Sequence, residues 1–485
     1  MEENGRTSVH QTGWPQPIAL DRRPEPDDNQ VVSNSDVRGN PSNMSVNTLL
    51  VGRASARRAE LQRRIGDGIA ILPTAPERIR NRDSDYLYRF DSYFYYLTGF
   101  AEPGSLLVLA GGENPCSILF CRDKNPEREL WEGFRFGPEA AKEQFGFERS
   151  FSISELDEQL PKLLANRRSL FYAPGADPGW DARIIGWLNQ VRAQSRAGIS
   201  APTEIHDVRQ SLDDMRLYKE ACEIETMRRA ADISSGAHVR AMRATRPGRN
   251  EFEIEAELLY EFRRHGAQFP AYWPIVAGGA SACILHYREN NAPLVDGTLL
   301  LIDAGCELDG YAADITRTFP VNGRFSAPQR EIYDLVLAAQ AAAIAEVRPA
   351  KRWNAPHDAA VKTLAQGLID LDLCQGTLDR VLETEDYKRF YMHRTGHWLG
   401  LDVHDVGEYK REGDWRQLEP GMTLTVEPGC YIRPGDKVPE KYWNIGVRIE
   451  DDVLVTGNGC EVLTRASPKS ATDIERLVGK GNAAV

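Results

Sequence analysis

Basic charge is in short supply. The 485 residues carry 59 Lys and Arg against 71 Asp and Glu, a formal net charge of −12. A surface that binds phosphates needs a concentrated basic face, and only short pairs such as Arg57-Arg58 and Arg63-Arg64 occur, which excludes nucleic acid as the main partner. Long apolar runs are missing as well: 41% of residues are hydrophobic, yet no run approaches the ~18 residues of a membrane span, so no membrane partner is expected. The eight cysteines include no C-x-x-C pair. Most, such as Cys283, Cys306 and Cys430, sit among apolar residues, where a thiol behaves as a small hydrophobe, and the pattern fits a reducing, cytoplasmic compartment.

What is present divides into three stretches. Residues 1–45 are rich in Asn, Asp, Pro, Ser and Arg with almost no aliphatic run; they lack the hydrophobic core of a signal peptide and are expected to be disordered. A helix-forming sequence follows Met44, which raises the expectation that translation starts there rather than at Met1; the intact mass of the natively expressed protein decides it. Residues 46–210 alternate helix and strand, with strands expected at 69–72, 105–109 and 117–120 and a helix at 153–164, an α/β domain. Its aromatics, dense between residues 86 and 100, read as core, with Tyr86 and Trp131 as candidates for the edge of a peptide pocket.

From about residue 211 to 485 long amphipathic helices take over. Leu217, Ala221, Ile224 and Met227 share one helical face and Ile254, Leu258 and Phe262 another. Ser326 and Pro328 supply the cap and first turn of a helix reaching about Val347, and residues 359–371 form one more. Helices that alternate with hairpins make an α+β domain.

Two of those hairpins carry paired acids. In L-L-L-I-D-A-G-C-E-L-D-G-Y-A-A-D-I-T-R-T, the midpoint between Asp303 and Asp314, 308.5, falls inside the turn signalled by Asp309-Gly310, which predicts that the two face each other across an unbroken ladder. Directly paired carboxylates about 5 Å apart repel by roughly 3 kcal/mol at an effective dielectric near 20, so the pair needs a cation or a shared proton. T-L-T-V-E-P-G-C-Y and N-I-G-V-R-I-E-D-D repeat the arrangement around a Pro/Gly-rich connection, which pairs Glu427 with Glu450 and hints at pseudosymmetry. Four carboxylates balance two divalent ions better than one, and the imidazole of His397 completes the set.

That histidine lies in M-H-R-T-G-H-W-L-G-L-D-V-H-D-V-G, residues 392–407, which holds three of the nine histidines. No Glu follows His393, so this is not H-E-x-x-H, and Gly396, Gly400 and Gly407 speak against an unbroken helix. A further glycine-alanine stretch, P-I-V-A-G-G-A-S-A-C-I-L-H-Y, ends at His286-Tyr287; taken alone, such a histidine reads as a core residue.

At these residues the chain resembles the pita-bread metallopeptidases, and within them the aminopeptidase P family. D-A-G-x-x-x-x-G-Y-x-x-D-I-T-R-T (303–318), G-H-W-L-G-L-D-V-H-D-V-G (396–407), T-V-E-P-G-x-Y (425–431) and G-V-R-I-E-D-D (446–452) occur in family order. The stretches at 80–100 and 129–137 resemble that family's N-terminal domain, and the likeness spans roughly residues 46–475. It implies a pita-bread catalytic domain behind a smaller α/β domain, and two divalent ions, most simply Mn2+, with Co2+, Fe2+ or Zn2+ as alternatives. Asp303 would hold one ion, His397 and Glu427 the other, and Asp314 and Glu450 would bridge both.

The same resemblance implies that His286, His393 and His404 are active-site histidines that do not bind metal, and that Arg448 orients the bridging Glu450. The reaction it implies is removal of the N-terminal residue from peptides with proline in second position, by a hydroxide bridging the two ions, with Glu427 moving the proton. It further implies a homo-oligomer, a dimer or tetramer. Prolidase, which cleaves Xaa-Pro dipeptides, is the alternative, and peptide length separates the two; a non-catalytic peptide-binding scaffold is the reading from another class, and metal content separates that one. One departure from the family pattern is Arg394, a small residue in many relatives, expected to narrow the substrate channel or to form a salt bridge.

Overall fold

The computed structural model describes residues 48–481. The stretch at 1–45 and the Met44 start lie outside the described residues. The N-terminal part is built on six strands, β1 (Ile69–Pro73), β2 (Leu106–Ala110), β3 (Cys116–Cys121), β4 (Arg149–Ser152), β5 (Ser169–Tyr172) and β6 (Glu204–Asp207), in the order β4-β3-β2-β1-β5-β6. Alternate residues point to opposite faces. Ile69, Ile71, Val108 and Ile118 meet Leu156, Leu160 and Trp187 on one side, while Ala70, Leu72, Leu107 and Leu119 meet Leu61, Ile65 and Phe94 on the other. Both faces are therefore covered, the α/β arrangement expected.

Arg57 and Arg58, one of the short basic pairs of the sequence, are buried. Arg57 joins the helix Thr48–Ile65 to the C-terminal part through Glu220 at 2.9 Å and Glu223 at 3.1 Å. Tyr86 and Trp131 do not border the cavity described below: Tyr86 lines a separate groove, and Trp131 stands 85% exposed on the short helix Pro126–Glu132.

The stretch expected as one helix from Leu217 to Met227 is two. Arg209–Leu217 ends, and Glu220 opens Ala221–Ala244 with a capping box to Glu223, which leaves Ala221 exposed while Leu217 and Met227 pack in separate clusters. Ile254, Leu258 and Phe262 share the buried face of Glu251–Arg264 as expected. Ser326 caps Ala327–Glu346 with Pro328 in the first turn, and Ala355–Asp370 follows.

Each helix pair is followed by strands. The first set is β7 (Ile275–Gly278), β8 (Leu299–Asp303) and β9 (Thr316–Pro320), all antiparallel. The second is β10 (Thr423–Val426), β11 (Gly429–Ile432), β12 (Ile445–Arg448), β13 (Asp451–Thr456) and β14 (Gly459–Val462). The two sets meet where the Glu450 amide donates to the Thr316 carbonyl at 3.1 Å and the Arg448 amide donates to Thr318 Oγ1 at 3.2 Å. That seam brings the two acid-bearing hairpins into one site.

Candidate metal centre

Register fixes where each acid points. β10 pairs Val426 with Asp451 and β11 pairs Gly429 with Arg448, one continuous register that puts Glu427 opposite Glu450. In the first hairpin Asp303 pairs with Thr316, not with Asp314. The ladder is interrupted at Gly305, where a Cβ would lie 1.7 Å from the Ala313 carbonyl, and the true register is two residues away from the expected one. A slip of two keeps side chains on the same face, so both acids still point into the site: the Tyr272 hydroxyl reaches Asp303 Oδ1 at 2.5 Å and also bonds Asp314 Oδ1.

One cavity of about 570 Å3 is lined by all nine residues expected as metal ligands or catalytic groups: Asp303, Asp314, His397, Glu427, Glu450, Arg448, His286, His393 and His404. Ligand atoms of Asp314, His397 and Glu450 lie within 4.8 Å of one another. His397 Nε2 is 3.4 Å from Asp314 and 3.7 Å from Glu427, while its Nδ1 lies 2.9 Å from the Trp398 carbonyl. An imidazole whose one nitrogen donates to a carbonyl presents the lone pair of the other, the arrangement that metal-ligating histidines use.

The charges favour a cation. Burial pushes the carboxyls of Asp314, Glu427 and Glu450 upward, Glu427 to about 7 and Glu450 well above the usual range, and the neighbouring acids add to the effect. Burial opposes charge on His397, but Asp314 and Glu427 outweigh it and raise the ring to about 9. Without a metal the cluster therefore holds protons where cations would sit. Metal uptake must expel them, so the expected result is proton release on binding and an affinity that rises with pH from below 7 to about 9. Calorimetric titration in buffers of different ionisation enthalpy measures the protons released; a pH-independent affinity with none released would contradict it.

Arg448 is buried and holds Asp303, with Nη2 to Oδ2 at 2.6 Å. The expectation that it orients Glu450 directly is corrected: Arg448 Nε donates to Thr316 Oγ1 at 3.1 Å, and that hydroxyl donates to Glu450 at 2.6 Å. Its third partner is the Tyr431 hydroxyl at 3.0 Å. Tyr431 in turn lies 2.9 Å from His393 Nε2, while His393 Nδ1 lies 2.7 Å from the Arg394 carbonyl. Both nitrogens of His393 are thus engaged inside the chain. Burial holds that ring low, near pKa 4, and therefore neutral at pH 7.

His404 and His286 are exposed in the cavity, the ring of His404 lying 4.3 Å from that of His397. The segment that carries His286 is tied at both ends to buried Glu251, which accepts from the amides of Gly278 at 2.8 Å and Ala292 at 2.9 Å. Arg394 lines the cavity and stacks 5.2 Å from the Trp415 ring centroid; among the described residues it forms no salt bridge, which corrects one of the two expectations for it. Tyr272, Tyr431 and Thr316 were not singled out from the sequence: Thr316 and Tyr431 stand inside the motifs at 303–318 and 425–431 without being read as partners of the acids, and Tyr272 lies in none of them. A buried cluster of four carboxylates and one imidazole on such a scaffold defines a metal-dependent hydrolase.

Comparison narrows the class. Residues 225–457 match the model of metallopeptidase family M24 and residues 54–172 that of the aminopeptidase P N-terminal domain. The chain is 48% identical over 403 residues to the Xaa-Pro aminopeptidase of Haemophilus influenzae, which covers 83% of this chain and 91% of that one. Aminopeptidase PepP of Pseudomonas aeruginosa superposes with a TM-score of 0.87 at 52% identity, over 88% of this chain and 97% of that one. A zinc-substituted aminopeptidase P of Escherichia coli in complex with product does so with a TM-score of 0.86 at 43% identity, over 88% and 98%. The chain belongs to the aminopeptidase P family of M24 metallopeptidases, an N-terminal α/β domain followed by a pita-bread domain.

Proposed function

We propose that this enzyme removes the N-terminal residue from peptides with proline in second position, using two divalent ions held by Asp303, Asp314, His397, Glu427 and Glu450. The observation that carries the reading is the convergence of those residues on one cavity, with buried carboxyls that a cation would neutralise. Asp303 would hold one ion, His397 and Glu427 the other, and Asp314 and Glu450 both; the oxygen-rich donor set favours Mn2+. Such ions supply Lewis acidity toward the scissile carbonyl and lower the pKa of a water.

The chain's own groups do the rest. Glu427 takes the proton that the attacking water gives up and hands it to the proline nitrogen as the bond breaks. His404, open to the cavity but half-enclosed by its walls, is held low by that partial desolvation and by its histidine neighbours, so it is neutral and donates a hydrogen bond to the oxygen on which charge develops. His286 holds the substrate beyond the scissile bond. Arg448 and Tyr272 fix the first hairpin's carboxylates, and His393 fixes Tyr431 and the turn before His397. Proline fits a dedicated site because its nitrogen carries no hydrogen and its ring obstructs ordinary pockets.

A division near residue 210 and a dimer or tetramer in the cytoplasm complete the proposal. The exposed Leu130 and Trp131 support assembly, and eight unpaired thiols support a reducing compartment. Among the described residues no helix is long and apolar enough to cross a membrane. The test is a panel of Xaa-Pro-Xaa peptides and Xaa-Pro dipeptides, with Mn2+ or with chelator. Metal-dependent cleavage of the longer peptides at Xaa-Pro is expected, and cleavage of dipeptides alone would make the enzyme a prolidase.

A further inference from the structure

The segment at 80–100 that marked the N-terminal domain in the sequence has no part in the mechanism above, yet it touches both arms of the site. Arg89 Nη2 donates to the Leu401 carbonyl at 2.6 Å and to that of Gly310 at 3.4 Å, and Nε donates to Glu307 at 3.2 Å. Glu307 and Gly310 form the tip of the hairpin that carries Asp303 and Asp314. Leu401 belongs to the loop between His397 and His404. Arg89 Nη1 also donates to Ser92 Oγ at 2.7 Å, and that hydroxyl donates to Asp402 Oδ1 at 2.8 Å.

From the other side Arg216 bonds Asp402 at 2.7 Å and Asp405 at 2.6 Å, and Lys219 bonds Asp405 at 2.9 Å. Arg216, Lys219 and Asp405 are buried. His404 therefore stands between two aspartates, Asp402 clamped from both domains and Asp405 from the pita-bread domain. The hairpin tip and the loop meet directly as well, where the Ala312 amide donates to the Gly400 carbonyl at 2.8 Å.

We infer that Arg89 of the N-terminal domain is a positioning residue for the reaction: with Ser92 as its relay, it holds the hairpin tip and the His404 loop in one register. This rests on the role proposed for His404. A network that merely glued two domains would affect stability and leave the folded enzyme's turnover alone. A network that sets the aim of His404 lowers kcat with little change in KM and none in metal content, because no metal ligand and no substrate contact is removed.

A groove of about 660 Å3 lined by Arg89, Ser92 and Asp402 opens beside the contact, so a free guanidinium ion can enter the space a truncated Arg89 leaves. In the full-length, Mn2+-loaded enzyme, Arg89→Ala is expected to lower kcat by about 10- to 100-fold, the scale of a small misplacement. KM and metal content should stay close to wild type, and millimolar guanidinium should restore part of the loss. Ser92→Ala, which removes only the relay hydroxyl, should lower kcat by less and decides the matter if Arg89→Ala does not fold. Wild-type kcat in a folded Arg89→Ala overturns the inference. So does a loss that guanidinium leaves untouched beside a wild-type Ser92→Ala. An inactive His404→Ala beside a fully active Arg89→Ala sinks this inference alone, whereas an active His404→Ala sinks the reading of the site.

Discussion

Asp314→Asn is expected to bind one divalent ion per chain in place of two and to lose more than about 100-fold in turnover. Asp314 is the carboxylate shared most widely: one oxygen bonds Tyr272, the other lies 3.4 Å from His397, and Glu450 is within 4.8 Å. An amide of the same size keeps the packing and removes the charge that both ions would need under the proposed assignment. Changes one layer further out cost about 10- to 100-fold in metal affinity, so loss of a bridging charge should exceed that. Elemental analysis of the purified variant reads the stoichiometry. Two ions per chain at unchanged affinity would mean that Asp314 is not the bridge.

His404→Ala should separate chemistry from binding. The ring stands in the cavity, 4.3 Å from that of His397, and no residue singled out as a ligand depends on it for a hydrogen bond. A donor that strengthens its bond as charge develops acts on the transition state alone. Losing one costs about 100-fold or more in rate, roughly 3 kcal/mol. The expected signature is a collapse of kcat, a modest change in KM and unchanged metal content. Loss of metal would make His404 a ligand, and full turnover would make it structural.

Much of this site was legible because hairpins obey simple geometry. Glu427 and Glu450 share a register that runs unchanged across Pro428, so their midpoint located them. Asp303 and Asp314 were placed two residues out, because the chain turns at Asp309 and Gly310 with Leu308 paired to Tyr311, one position later than the midpoint of the two acids, and that register is the same on both sides of the break at Gly305. The two-residue period kept both on the right face. The break before Ala221 was readable in principle from Glu220 and Glu223, whose capping box outweighs an apolar periodicity that Leu217 and Met227 satisfy from different helices.

The partners of the proposed ligands were not legible. Tyr272 sits in A-Y-W-P with nothing local to mark it, and Arg448 was assigned to the nearer acid in sequence when packing gave it Asp303. Such contacts arise where two hairpins meet, and the sequence holds no record of that seam beyond the apolar faces that create it. The same is true of Arg89, which is distant in sequence from the hairpin tip and the loop that it bonds.

The most direct test is to strip the wild-type enzyme with chelator and titrate it with Mn2+, following ions bound per chain together with hydrolysis of an Xaa-Pro-Xaa peptide. Two ions should bind per chain, with no hydrolysis in the stripped enzyme and full activity returning only as the second site fills. Hydrolysis at full rate with no metal, or saturation at a single ion with full activity, would contradict a two-metal centre built from Asp303, Asp314, His397, Glu427 and Glu450.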